Sequence, residues 1–591
     1  MNVSEYIIEF LKSKHVDACF VVTGGQSMLL NDALCRTQEI RSIFTHHEQA
    51  ASMSAEAYAR VSGKLGFALV TAGPAVINAL TGVIGAYVDS VPLIIVSGQS
   101  NLNHTEHMYK TAIRQYGVQG IATRQFVEKG VKYFATINDP ANVAYVMEKA
   151  YYMAHEGRPG PVWIEVPLNV QSMHVPEKML MHFLPSLNET KQHERTAMYG
   201  TIAAALATSK RPLIVAGQGV RLAGVVCELI KFAEKHKIPI VTTRLGIDLI
   251  DYKHPLFVGH PGNNGDRAAN ITVQNADLII VLGSRLSTSA TGHNAKGFGE
   301  NATIFQIDVD EQELSKPGVV VDVRYQDNLK FFLPELLRYD INRDHINNEW
   351  MRFCEKLKYS YPVMQEEYKI GNKVNSFYAI DMLSEIADSS DVILTDAGSV
   401  FHVTCQGWKI KEGQRFVASG GLSSMGYWCA VVGASAANKG KNTIVVTGDG
   451  SFQMNIQELA TVRQLNRPIK IFVINNNGYL LIRQTQNSYM DKRLFGEGPD
   501  SGLFFPDIMA IAAAYSIKGV RIEKPLELEN KLRETLDYEG PVVCEIVSPD
   551  WQEIVPRVAS DKQLDGTLRQ RDFGDMYPFL PQDELNLLKI H

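Results

Sequence analysis

Cysteine is scarce in this chain, and its spacing carries no structural signature. The 591 residues include seven cysteines, which are scattered singly and never form a Cys-x-x-Cys pair. Paired or closely spaced cysteines are typical of disulfide frameworks and structural zinc sites. The sequence therefore predicts neither kind of site, and it fits a protein of a reducing compartment.

Long apolar runs and basic blocks are also missing. No apolar stretch approaches the roughly 18 residues that a membrane-spanning helix needs. The amino terminus, Met1–Phe20, has the pattern of an amphipathic helix with early acidic residues rather than that of a signal peptide. The formal net charge is −6 and no Lys/Arg-rich block occurs, which argues against a nucleic-acid partner. We therefore expect a cytoplasmic protein without a membrane or nucleic-acid partner.

What the chain does contain is the patterning of several α/β domains. Apolar residues make up 45% and charged residues 21%, both ordinary for globular proteins. A chain of 591 residues exceeds one hydrophobic core and suggests about three or four domains. Short apolar runs alternate with helical patterns, which is typical of doubly wound parallel sheets. We predict an α/β fold with three consecutive domains of this kind and a tail, over residues 1–175, 195–340, 375–548 and 549–591. The irregular stretches Met173–Glu194 and Ile341–Val374 are predicted to be linkers.

The most informative stretch is Thr443–Tyr479, a predicted strand–helix–strand unit. Thr443–Thr447 is a short apolar run of the kind found in buried parallel strands, and it leads directly into Gly448–Ser451, which reads Gly-Asp-Gly-Ser. Apolar residues at helical spacing follow over Phe452–Val462. A second apolar run within Ile469–Gly478 ends in Asn-Asn-Asn-Gly. The pattern thus places polar residues after both strands.

The chemistry of these positions suits a metal–diphosphate site. The carboxyl ends of neighbouring parallel strands share one edge of a sheet, so Asp449 and Asn476 are expected to lie close together. Carboxylate and amide oxygens suit Mg²⁺, which usually takes its remaining ligands from phosphate and water. The amides of Gly448, Gly450 and Ser451 at a helix start suit a phosphate group. Gly-Asp-Gly and Asn-rich loops also occur in ordinary turns, but their combination with the helix favours the metal–diphosphate site.

In the first domain, Glu48 is the residue that stands out. It follows the short apolar run Ile43–Thr45 and begins a predicted helix rich in small residues. One interpretation is a helix-dipole partner or a surface ion pair, as for most glutamates. The other is a partly buried acid that holds a proton for exchange. The residues alone favour the first interpretation.

These segments resemble two signatures of thiamine diphosphate enzymes of the acetolactate synthase-like family, which includes pyruvate oxidases and decarboxylases. GDG followed after a helix-length spacer by NN resembles the diphosphate-binding signature, and HEQAA…AEAYAR resembles the segment of the cofactor-activating glutamate. The resemblance covers nearly the whole chain and implies a pyrimidine-binding domain, a Rossmann-like middle domain and a diphosphate-binding domain. It implies that the Asp449 and Asn476 side chains and the Gly478 carbonyl bind Mg²⁺. It also implies that Glu48 hydrogen-bonds N1′ of the aminopyrimidine and promotes the imino tautomer, which takes the proton from thiazolium C2.

The same resemblance implies roles for further residues. Gly25 would approach the reacting carbonyl, and Gln119 would be an active-site glutamine. Ser423 would offer its backbone carbonyl to the 4′-amino group. Met425 would wedge between the two rings of the cofactor, with gap filling as the alternative for a methionine. Cofactor contacts are also expected from an asparagine, a leucine and the two residues of a further helix start: Asn78, Leu481, Gly398 and Ser399.

Two positions depart from the family pattern. The family usually has Gly-Pro-Gly before its asparagine, whereas this chain has Gly73-Pro74-Ala75. A methyl group there would narrow the space beside the cofactor or demand a negative φ. A tryptophan that selects the larger acceptor in acetolactate synthases corresponds to Thr485, on the same pocket-lining segment as Ile482. Both departures leave the substrates open but not the cofactor.

The middle domain carries only a weak nucleotide signal. Gly217-Gln218-Gly219 follows a predicted strand, but Arg221-Leu222 intervenes before Ala223, so the full GxGxxG pattern is absent. This excludes a nucleotide-dependent dehydrogenase and leaves a purely structural domain as one interpretation. In acetolactate synthases the corresponding domain holds FAD without a net redox role, and the partial matches here are Thr243-Arg244 and Arg285. FAD is therefore an open possibility.

The resemblance implies decarboxylation of a 2-oxo acid, with pyruvate as the expected donor, and carboligation of the two-carbon unit to a carbonyl acceptor. It implies a homodimer or homotetramer with active sites between subunits. The alternatives with the same cofactor are a simple decarboxylase, a C–C hydrolase, or a transferase of a two-carbon unit to a keto sugar in polysaccharide biosynthesis. The last stays open because the tail resembles both the family's lid and an extension in homologues from polysaccharide clusters. A non-catalytic thiamine diphosphate-binding paralogue is disfavoured by the joint presence of Glu48, Asp449 and Asn476.

Overall fold

The computed structural model describes residues 1–105, 113–185, 192–343, 348–563, 565 and 567–590. The gaps fall in the first domain, in the two predicted linkers and in the predicted tail. Within the described ranges, no helix is both long and apolar enough to cross a membrane.

Over the described ranges, three sheets of six parallel strands each form the framework, which confirms the predicted α/β class. The first sheet contains β1 Ala18–Val21, β2 Arg41–Phe44, β3 Gly66–Val70, β4 Leu93–Gln99, β5 Tyr133–Thr136 and β6 Pro161–Pro167. The second contains β7 Pro212–Ala216, β8 Ile240–Thr242, β9 Phe257–Gly259, β10 Leu278–Leu282, β11 Thr303–Asp308 and β12 Val323–Gln326. The third contains β13 Val392–Thr395, β14 Arg415–Ala418, β15 Thr443–Gly448, β16 Ile469–Asn475, β17 Lys518–Ile522 and β18 Val542–Val547. The strand orders are β2-β1-β3-β4-β6-β5, β12-β11-β10-β7-β8-β9 and β14-β13-β15-β16-β18-β17.

Helices connect the strands. Those of the first domain are α1 Val3–Ser13, α2 Met28–Cys35, α3 Glu48–Ser62, α4 Pro74–Val88, α5 Thr123–Val127, α6 Val143–His155 and α7 Leu168–Gln171. Those between the first and third sheets are α8 Gln192–Thr208, α9 Gln218–Leu222, α10 Val226–His236, α11 Arg267–Asn275, α12 Thr288–Thr291, α13 Glu311–Ser315, α14 Leu329–Arg338 and α15 Glu349–Ser360. Those that follow are α16 Ser376–Ile386, α17 Ser399–Gly407, α18 Val431–Ala437, α19 Asp449–Gln453, α20 Leu459–Leu465, α21 Leu480–Tyr489, α22 Ile508–Ala514, α23 Leu528–Asp537 and α24 Gln582–Leu587.

The first and third domains share one apolar core. All residues of β3, β4 and β6 are buried, as expected for parallel strands covered on both faces. Met53 on α3 lies in the same cluster as Trp428 and Val431 of the third domain. A methyl group at Gly433 on α18 would lie 1.7 Å from the carbonyl oxygen of Ser54 on α3. The two helices therefore meet with their backbones in close approach.

One predicted helix is interrupted. The apolar positions from Phe452 to Val462 are divided between α19 and α20, with a 3-10 turn at Ile456–Glu458 between them. Asn455 has a φ of 65°, and its Nδ2 donates a hydrogen bond to the carbonyl oxygen of Gly426 at 3.2 Å. Asparagine tolerates the left-handed conformation, and this side-chain bond competes with the helix, so the chain turns there.

The second predicted linker and the tail both pack on the middle domain. Helix α15 contributes Trp350 to the middle-domain core, so it belongs to that domain rather than to a linker. In the tail, Arg267 on α11 donates to the carbonyl oxygens of Met576 and Pro578, at 3.1 and 2.5 Å. Asn270 on the same helix donates to the Phe573 carbonyl oxygen at 3.0 Å. The tail is thus docked, and its expected role as a lid stays a prediction.

Candidate functional site

Asp449 lies where two loops of the third sheet meet. It begins α19 directly after β15, and the neighbouring strand β16 leads to the loop that carries Asn476 and Gly478. Asp449 Oδ1 accepts a hydrogen bond from the amide of Gly450 at 2.8 Å. Its Oδ2 accepts one from the amide of Gly478 at 2.9 Å. The two strand ends therefore meet, as their order in the sheet predicts, and this carboxylate joins them.

Asn476 and Gly478 form the second half of this contact. Asn476 is buried, and its side-chain amide makes no hydrogen bond within the described residues, whereas its carbonyl oxygen accepts one from Arg483 at 3.2 Å. Gly478 has a φ of 142°, and a Cβ there would lie 2.1 Å from the Glu497 carbonyl oxygen, so the position requires glycine. Glu497 also fixes Arg483, whose Nε lies 2.5 Å from Oε2. The loop is thus rigidly held while the Asn476 amide stays available to a ligand.

The donor set at this loop fits a hard cation. Burial raises the pKa of Asp449 to about 7, because its carboxylate is removed from water. Among the described residues, no group of three or more His, Cys, Asp or Glu side chains could hold a metal by itself. A cation at Asp449 would therefore draw on one carboxylate, on amide and carbonyl oxygens, and on a second ligand such as a diphosphate. Mg²⁺ favours this pattern, so the residues present fit the expected metal–diphosphate group.

Asp396 is a buried acid that the sequence did not single out. It follows β13, and its Oδ1 accepts hydrogen bonds from the amides of Ala397 and Tyr427 at 2.7 and 3.1 Å. Its Oδ2 accepts from the hydroxyls of Thr447 and Ser451 at 2.9 and 2.6 Å. Burial raises the pKa of Asp396 above its usual value, and the hydrogen bonds oppose this shift without cancelling it. Asp396 ties three segments together beside Asp449, and its signal in the sequence is a carboxylate directly after a predicted strand.

The expected phosphate-binding positions lie at two helix starts. Gly398 precedes α17, has a φ of 84° and so turns the chain to let the helix begin at Ser399. Gly448 likewise comes directly before a helix, α19, but its backbone is extended. Amides at such helix starts have no partner within the helix, so they can donate to an anion.

Gly450 and Ser451 lie in the first turn of α19. A Cβ at Gly450 would lie 2.1 Å from the ring of Tyr479, so no larger residue fits there without a shift. The Ser451 hydroxyl is engaged, since it donates to Asp396 and accepts from the amide of Gly426 at 2.7 Å. The Ser451 backbone amide is the group that remains for a phosphate.

Ser423 and Met425 lie on an irregular loop before a 3-10 turn. Ser423 is exposed and has a φ of 53°, and Met425 is half-buried. The Ser423 amide donates to the carbonyl oxygen of Ser419 at 3.0 Å. The loop ends at Gly426, whose amide is bound to the Ser451 hydroxyl. It is therefore attached directly to the helix that begins with Asp449.

Glu48 begins α3, shortly after the end of β2. Its side chain is half-buried, and its Oε2 accepts a hydrogen bond from Nδ2 of Asn78 at 2.9 Å. No ion pair of Glu48 occurs within the described part of the chain. The residue before it, His47, caps the helix, with Nδ1 accepting from the Gln49 amide at 3.1 Å. The surface ion pair considered from the sequence is therefore absent from the described contacts, and an amide orients the carboxylate instead.

The departure at Ala75 is accommodated by the helix that carries Asn78. Gly73 precedes α4 with a φ of 67°, and Pro74 is the first helical residue. Ala75 is fully buried inside α4 and does not have a positive φ. Of the two consequences considered for its methyl group, the negative φ is the one that the structure adopts.

Gly25 and Gln119 lie near the start of α4, the helix that carries Asn78. Gly25 begins a 3-10 turn after β1, and the next residue, Gln26, donates from Nε2 to the Val118 carbonyl oxygen at 3.2 Å. A Cβ at Gly73 would lie 2.8 Å from the carbonyl oxygen of Gln119, so the two turns are in contact. The structure thus brings both predicted residues to the edge of the first sheet that carries the glutamate.

Leu481, Ile482 and Thr485 lie on α21, which follows the Asn476 loop. Leu481 is half-buried against the third-domain core, whereas Ile482 and Thr485 are exposed. Thr485 Oγ1 donates within the helix to the Leu481 carbonyl oxygen at 2.9 Å. The segment therefore presents a small polar residue and an apolar residue on the surface next to the Asp449 site.

Within one chain, the glutamate cluster (Glu48 and Asn78) and the aspartate cluster (Asp449 and the Asn476 loop) lie on different domains. No hydrogen bond between described residues joins Glu48 or Asn78 to Asp449. One of the contacts between the first and third domains involves Glu458, whose Oε1 accepts the amide of His46 at 2.9 Å. Glu458 is fully buried. Sequence reasoning missed this link because its two ends are 412 positions apart.

A cavity of about 1250 Å³ opens at the carboxyl ends of the middle strands. A Cβ at Gly219 would lie 2.7 Å from Cα of Gly283, so glycine backbones approach closely at its floor. Arg244 and Arg285, the partial flavin matches of the sequence, both line it, as does Asp308. Burial raises the pKa of Asp308. The cavity is large enough for a nucleotide-sized ligand.

Comparison with protein families matches each of the three domains. Residues 1–122 match the description "Thiamine pyrophosphate enzyme, N-terminal TPP binding domain". Residues 200–336 match "Thiamine pyrophosphate enzyme, central domain". Residues 396–546 match "Thiamine pyrophosphate enzyme, C-terminal TPP binding domain". The three matches follow the order of the three sheets.

Similar proteins match over most of their length. The acetolactate synthase large subunit of Lactococcus lactis subsp. lactis (strain IL1403) is 33% identical, covering 95% of this chain and 95% of the relative. The probable acetolactate synthase large subunit of Methanococcus aeolicus is 33% identical, covering 92% of each chain. The chloroplastic acetolactate synthase of Arabidopsis thaliana is 28% identical, covering 96% of this chain and 84% of the relative. The similarity therefore extends to the whole three-domain arrangement.

Proposed function

We propose that this chain, which belongs to the thiamine pyrophosphate enzyme family, decarboxylates a 2-oxo acid and joins the remaining two-carbon unit to a carbonyl acceptor. Relatives named acetolactate synthase large subunit support pyruvate as the donor. The observation that carries the proposal is the half-buried Glu48 carboxylate, held by Asn78 at a helix start and without an ion pair among the described residues. A carboxylate in that setting can accept and return a proton.

The third domain would hold the cofactor by its diphosphate. We assign Mg²⁺ ligation to the side chains of Asp449 and Asn476 and to the carbonyl oxygen of Gly478. The cation would offset the cost of burying the Asp449 carboxylate and would neutralise the diphosphate. Amides at the starts of α17 and α19 would donate to the phosphate oxygens, because helix amino termini favour anions.

Thiamine diphosphate, when bound, supplies the electron sink that lets CO₂ leave a 2-oxo acid. Glu48 would hydrogen-bond a ring nitrogen of the aminopyrimidine and hold the proton that is exchanged there, while Asn78 keeps the carboxylate oriented. Gly25 and Gln119 lie at the same edge of the first sheet and would face the substrate carbonyl.

The third-domain loop that carries Ser423 and Met425 would shape the cofactor. Met425 is half-buried beside α19 and would pack between the two rings. The backbone carbonyl of Ser423 would accept a hydrogen bond from the amino group of the pyrimidine. The attachment of this loop to Ser451 supports that role, because it ties the ring-binding segment to the diphosphate-binding helix.

We further propose a homodimer or homotetramer in which Glu48 of one subunit and Asp449 of another complete each site. The placement of the two clusters on different domains, with no hydrogen bond between them among the described residues, supports this. Large apolar side chains next to both clusters are exposed: Phe44 is 60% exposed, Ile77 is 43% exposed and Met454 is 41% exposed. Phenylalanine and methionine are enriched in subunit contacts.

We expect the acceptor to be a carbonyl compound that fits beside Thr485. A small residue at this position, exposed on α21, leaves room for a bulkier acceptor than a tryptophan would. This favours, as a second candidate, the transfer of the two-carbon unit to a keto sugar.

The middle-domain cavity is proposed to bind FAD. Its volume, the close glycine approach at Gly219 and Gly283, and the arginines Arg244 and Arg285 support a dinucleotide with negatively charged phosphates. The visible absorption spectrum of the purified protein tests this directly. A flavin spectrum is expected, and its absence after incubation with FAD would contradict the proposal.

The main experiment combines the purified protein with thiamine diphosphate, Mg²⁺ and a panel of 2-oxo acids. CO₂ release identifies the donor, and mass spectrometry of the products with and without candidate acceptors identifies the ligation. We expect pyruvate to release CO₂ and to yield acetolactate or, with a keto sugar present, a two-carbon adduct. Acetaldehyde as the sole product would favour a simple decarboxylase, and no turnover of any 2-oxo acid would overturn the proposal.

A further inference from the structure

Asp89 is a buried carboxylate at the junction of the three domains. It follows the last residue of α4 in the first domain. Its Oδ2 accepts the amide of Gly420 at 3.0 Å, and its Oδ1 accepts the amide of Gly421 at 2.9 Å. Arg60 Nη2 lies 2.8 Å from Oδ2, and Arg285 Nη2 of the middle domain lies 3.7 Å from Oδ1. One side chain thus contacts segments from all three domains.

The two amides that Asp89 binds are consecutive and open the loop that carries Ser423 and Met425. We propose that Asp89 is a positioning residue that fixes this loop, Ser419–Gly426, in the conformation required to bind the ring half of the cofactor. The inference rests on the proposed function, because it assigns the loop to thiamine diphosphate. Asp89 itself would not touch thiamine diphosphate, although it lines the middle-domain cavity proposed for FAD.

The far end of the same loop is held by the same network. Arg60 bridges Asp89 to Glu56, with Nε 2.5 Å from Glu56 Oε1. The hydroxyl of Tyr427, the residue directly after the loop, donates to Glu56 Oε2. Asp89, Glu56 and Arg60 are all buried. The loop is therefore tied at both ends to one buried charged network in the first domain.

The start of the loop is also confined by close contacts. A Cβ at Gly421 would lie 2.4 Å from Cγ1 of Val88 and 2.5 Å from Oδ1 of Asp89. A Cβ at Gly420 would lie 2.5 Å from Cδ2 of Leu245 in the middle domain. The loop start is thus fixed by direct contact as well as by the carboxylate, and substitution at Gly421 disturbs it without removing any charge.

Holding the loop beforehand lowers the cost of binding. A free loop loses conformational entropy when it orders around a ligand, whereas a loop held by two charge-assisted hydrogen bonds has already lost it. Asparagine at position 89 would keep the shape of the side chain but present an amide group to one of the two backbone donors. The loop start would then be held by a single neutral hydrogen bond.

The test separates the ring half of the cofactor from its diphosphate half. Titration calorimetry would measure the Kd of thiamine diphosphate with Mg²⁺ and the Kd of inorganic pyrophosphate with Mg²⁺ for the full chain. For Asp89→Asn we expect the first Kd to rise about 10-fold or more, since charge-assisted hydrogen bonds are lost, and the second to stay within about 2-fold. Gly421→Ala, which displaces the loop with the carboxylate intact, should show the same split.

A matched control exists in the third domain. Asp391 is also buried and also accepts two backbone amides, those of Asn442 at 2.7 Å and Asp388 at 2.8 Å. It lies before β13, at the end of the third sheet opposite the Asp449 edge. Asp391→Asn should lower stability without changing the ratio of the two dissociation constants.

The outcomes are distinct. If wild-type protein binds no thiamine diphosphate and turns over no 2-oxo acid, the proposed function fails. If wild-type protein is active and both variants keep its ratio of dissociation constants, the positioning role of Asp89 fails alone. The role also fails if the variants bind pyrophosphate and thiamine diphosphate with equally weakened affinity. It fails likewise if both variants are recovered only as unfolded protein. In either case Asp89 would serve folding in general.

Discussion

Asn78 Nδ2 donates a hydrogen bond to Glu48 Oε2 over 2.9 Å, and each residue lies in the first turns of its helix. The helices α3 and α4 are themselves tied together, since Ser52 Oγ donates to the Ala79 carbonyl oxygen at 2.9 Å. The amide therefore orients one carboxylate oxygen through a rigid pair of helices. The second oxygen, Oε1, accepts no hydrogen bond from a described residue, so a ligand can reach it.

Glu48→Gln is expected to lower decarboxylation of pyruvate by at least about 100-fold, the usual contribution of a general acid–base group. Glutamine keeps the shape of the side chain and can still accept from Asn78, but it cannot take up a proton. CO₂ release would be measured at saturating thiamine diphosphate. The dissociation constant of the cofactor should change by less than about 3-fold, because the diphosphate half binds elsewhere.

Glu39→Gln serves as the control for this prediction. Glu39 is 64% exposed, and its one ion pair with a described residue is the surface pair with Lys12, so its loss should leave the rate unchanged. Undiminished CO₂ release by Glu48→Gln would remove Glu48 from the mechanism.

Asp449→Asn is expected to weaken Mg²⁺-dependent binding of thiamine diphosphate by about 10-fold or more. The change removes the negative charge that faces the cation but keeps an oxygen that accepts the amides of Gly450 or Gly478. Calorimetric titration of the cofactor at several Mg²⁺ concentrations would measure it. The exposed Asp537 of the same domain gives the control Asp537→Asn, which should bind as the wild type does. Equal affinity of both variants would place the cation elsewhere.

The juxtaposition of Asp449 with the Asn476 loop could be predicted because it follows from strand order. Two consecutive apolar runs joined by one helix form neighbouring parallel strands, and their carboxyl ends then share an edge. The Asp449–Gly478 hydrogen bond is the result. The three-sheet fold was predictable on the same grounds. The roles of these residues as metal ligands stay predictions.

Other parts of the site depend on contacts that no local pattern encodes. Asp89 and Glu458 bind backbone amides 331 and 412 positions away, so only the folded domains bring the partners together. The helix break at Asn455 depends on its side-chain bond to Gly426, which lies in another loop. Periodicity fixes which face of a helix is buried, but it carries no information about which distant segment lies against it.

Gly433→Ala is expected to destabilise the protein by about 1–3 kcal/mol, the usual cost of overpacking a buried contact. The added methyl group would lie 1.7 Å from the Ser54 carbonyl oxygen, so α3 and α18 must move apart. Gly85→Ala on α4 is the matched control, because a Cβ there meets nothing within 4 Å. Alanine is the better helix former, so the control should be neutral or more stable by up to about 1 kcal/mol. Thermal unfolding would measure both, and equal midpoints would contradict the close approach of the two helices.

The middle domain is expected to show two opposing pH effects that cancel in the wild type. Burial lowers the pKa of His260 from 6.5 to about 4, and it raises the pKa of the neighbouring Asp266 from 3.8 to about 7. Asp266 Oδ2 accepts the His260 amide at 2.7 Å, so the two groups are adjacent. As pH falls below 6.5, the unfolded chain protonates His260 and the folded chain does not, so stability falls. As pH falls below 7, the folded chain protonates Asp266 and the unfolded chain does not, so stability rises.

Single substitutions separate the two effects. Between pH 7 and pH 5 each amounts to about 2 kcal/mol, from shifts of this size at 1.36 kcal/mol per unit. Asp266→Asn should therefore lose about 2 kcal/mol relative to the wild type over this range, because only the His260 effect remains. His260→Gln should gain about 2 kcal/mol relative to the wild type, because only the Asp266 effect remains. Chemical unfolding at pH 5, 6 and 7 measures the change of stability with pH for each protein. All other titrating groups are common to the three proteins. Parallel curves would therefore mean that neither group is held in the protonation state that its burial favours.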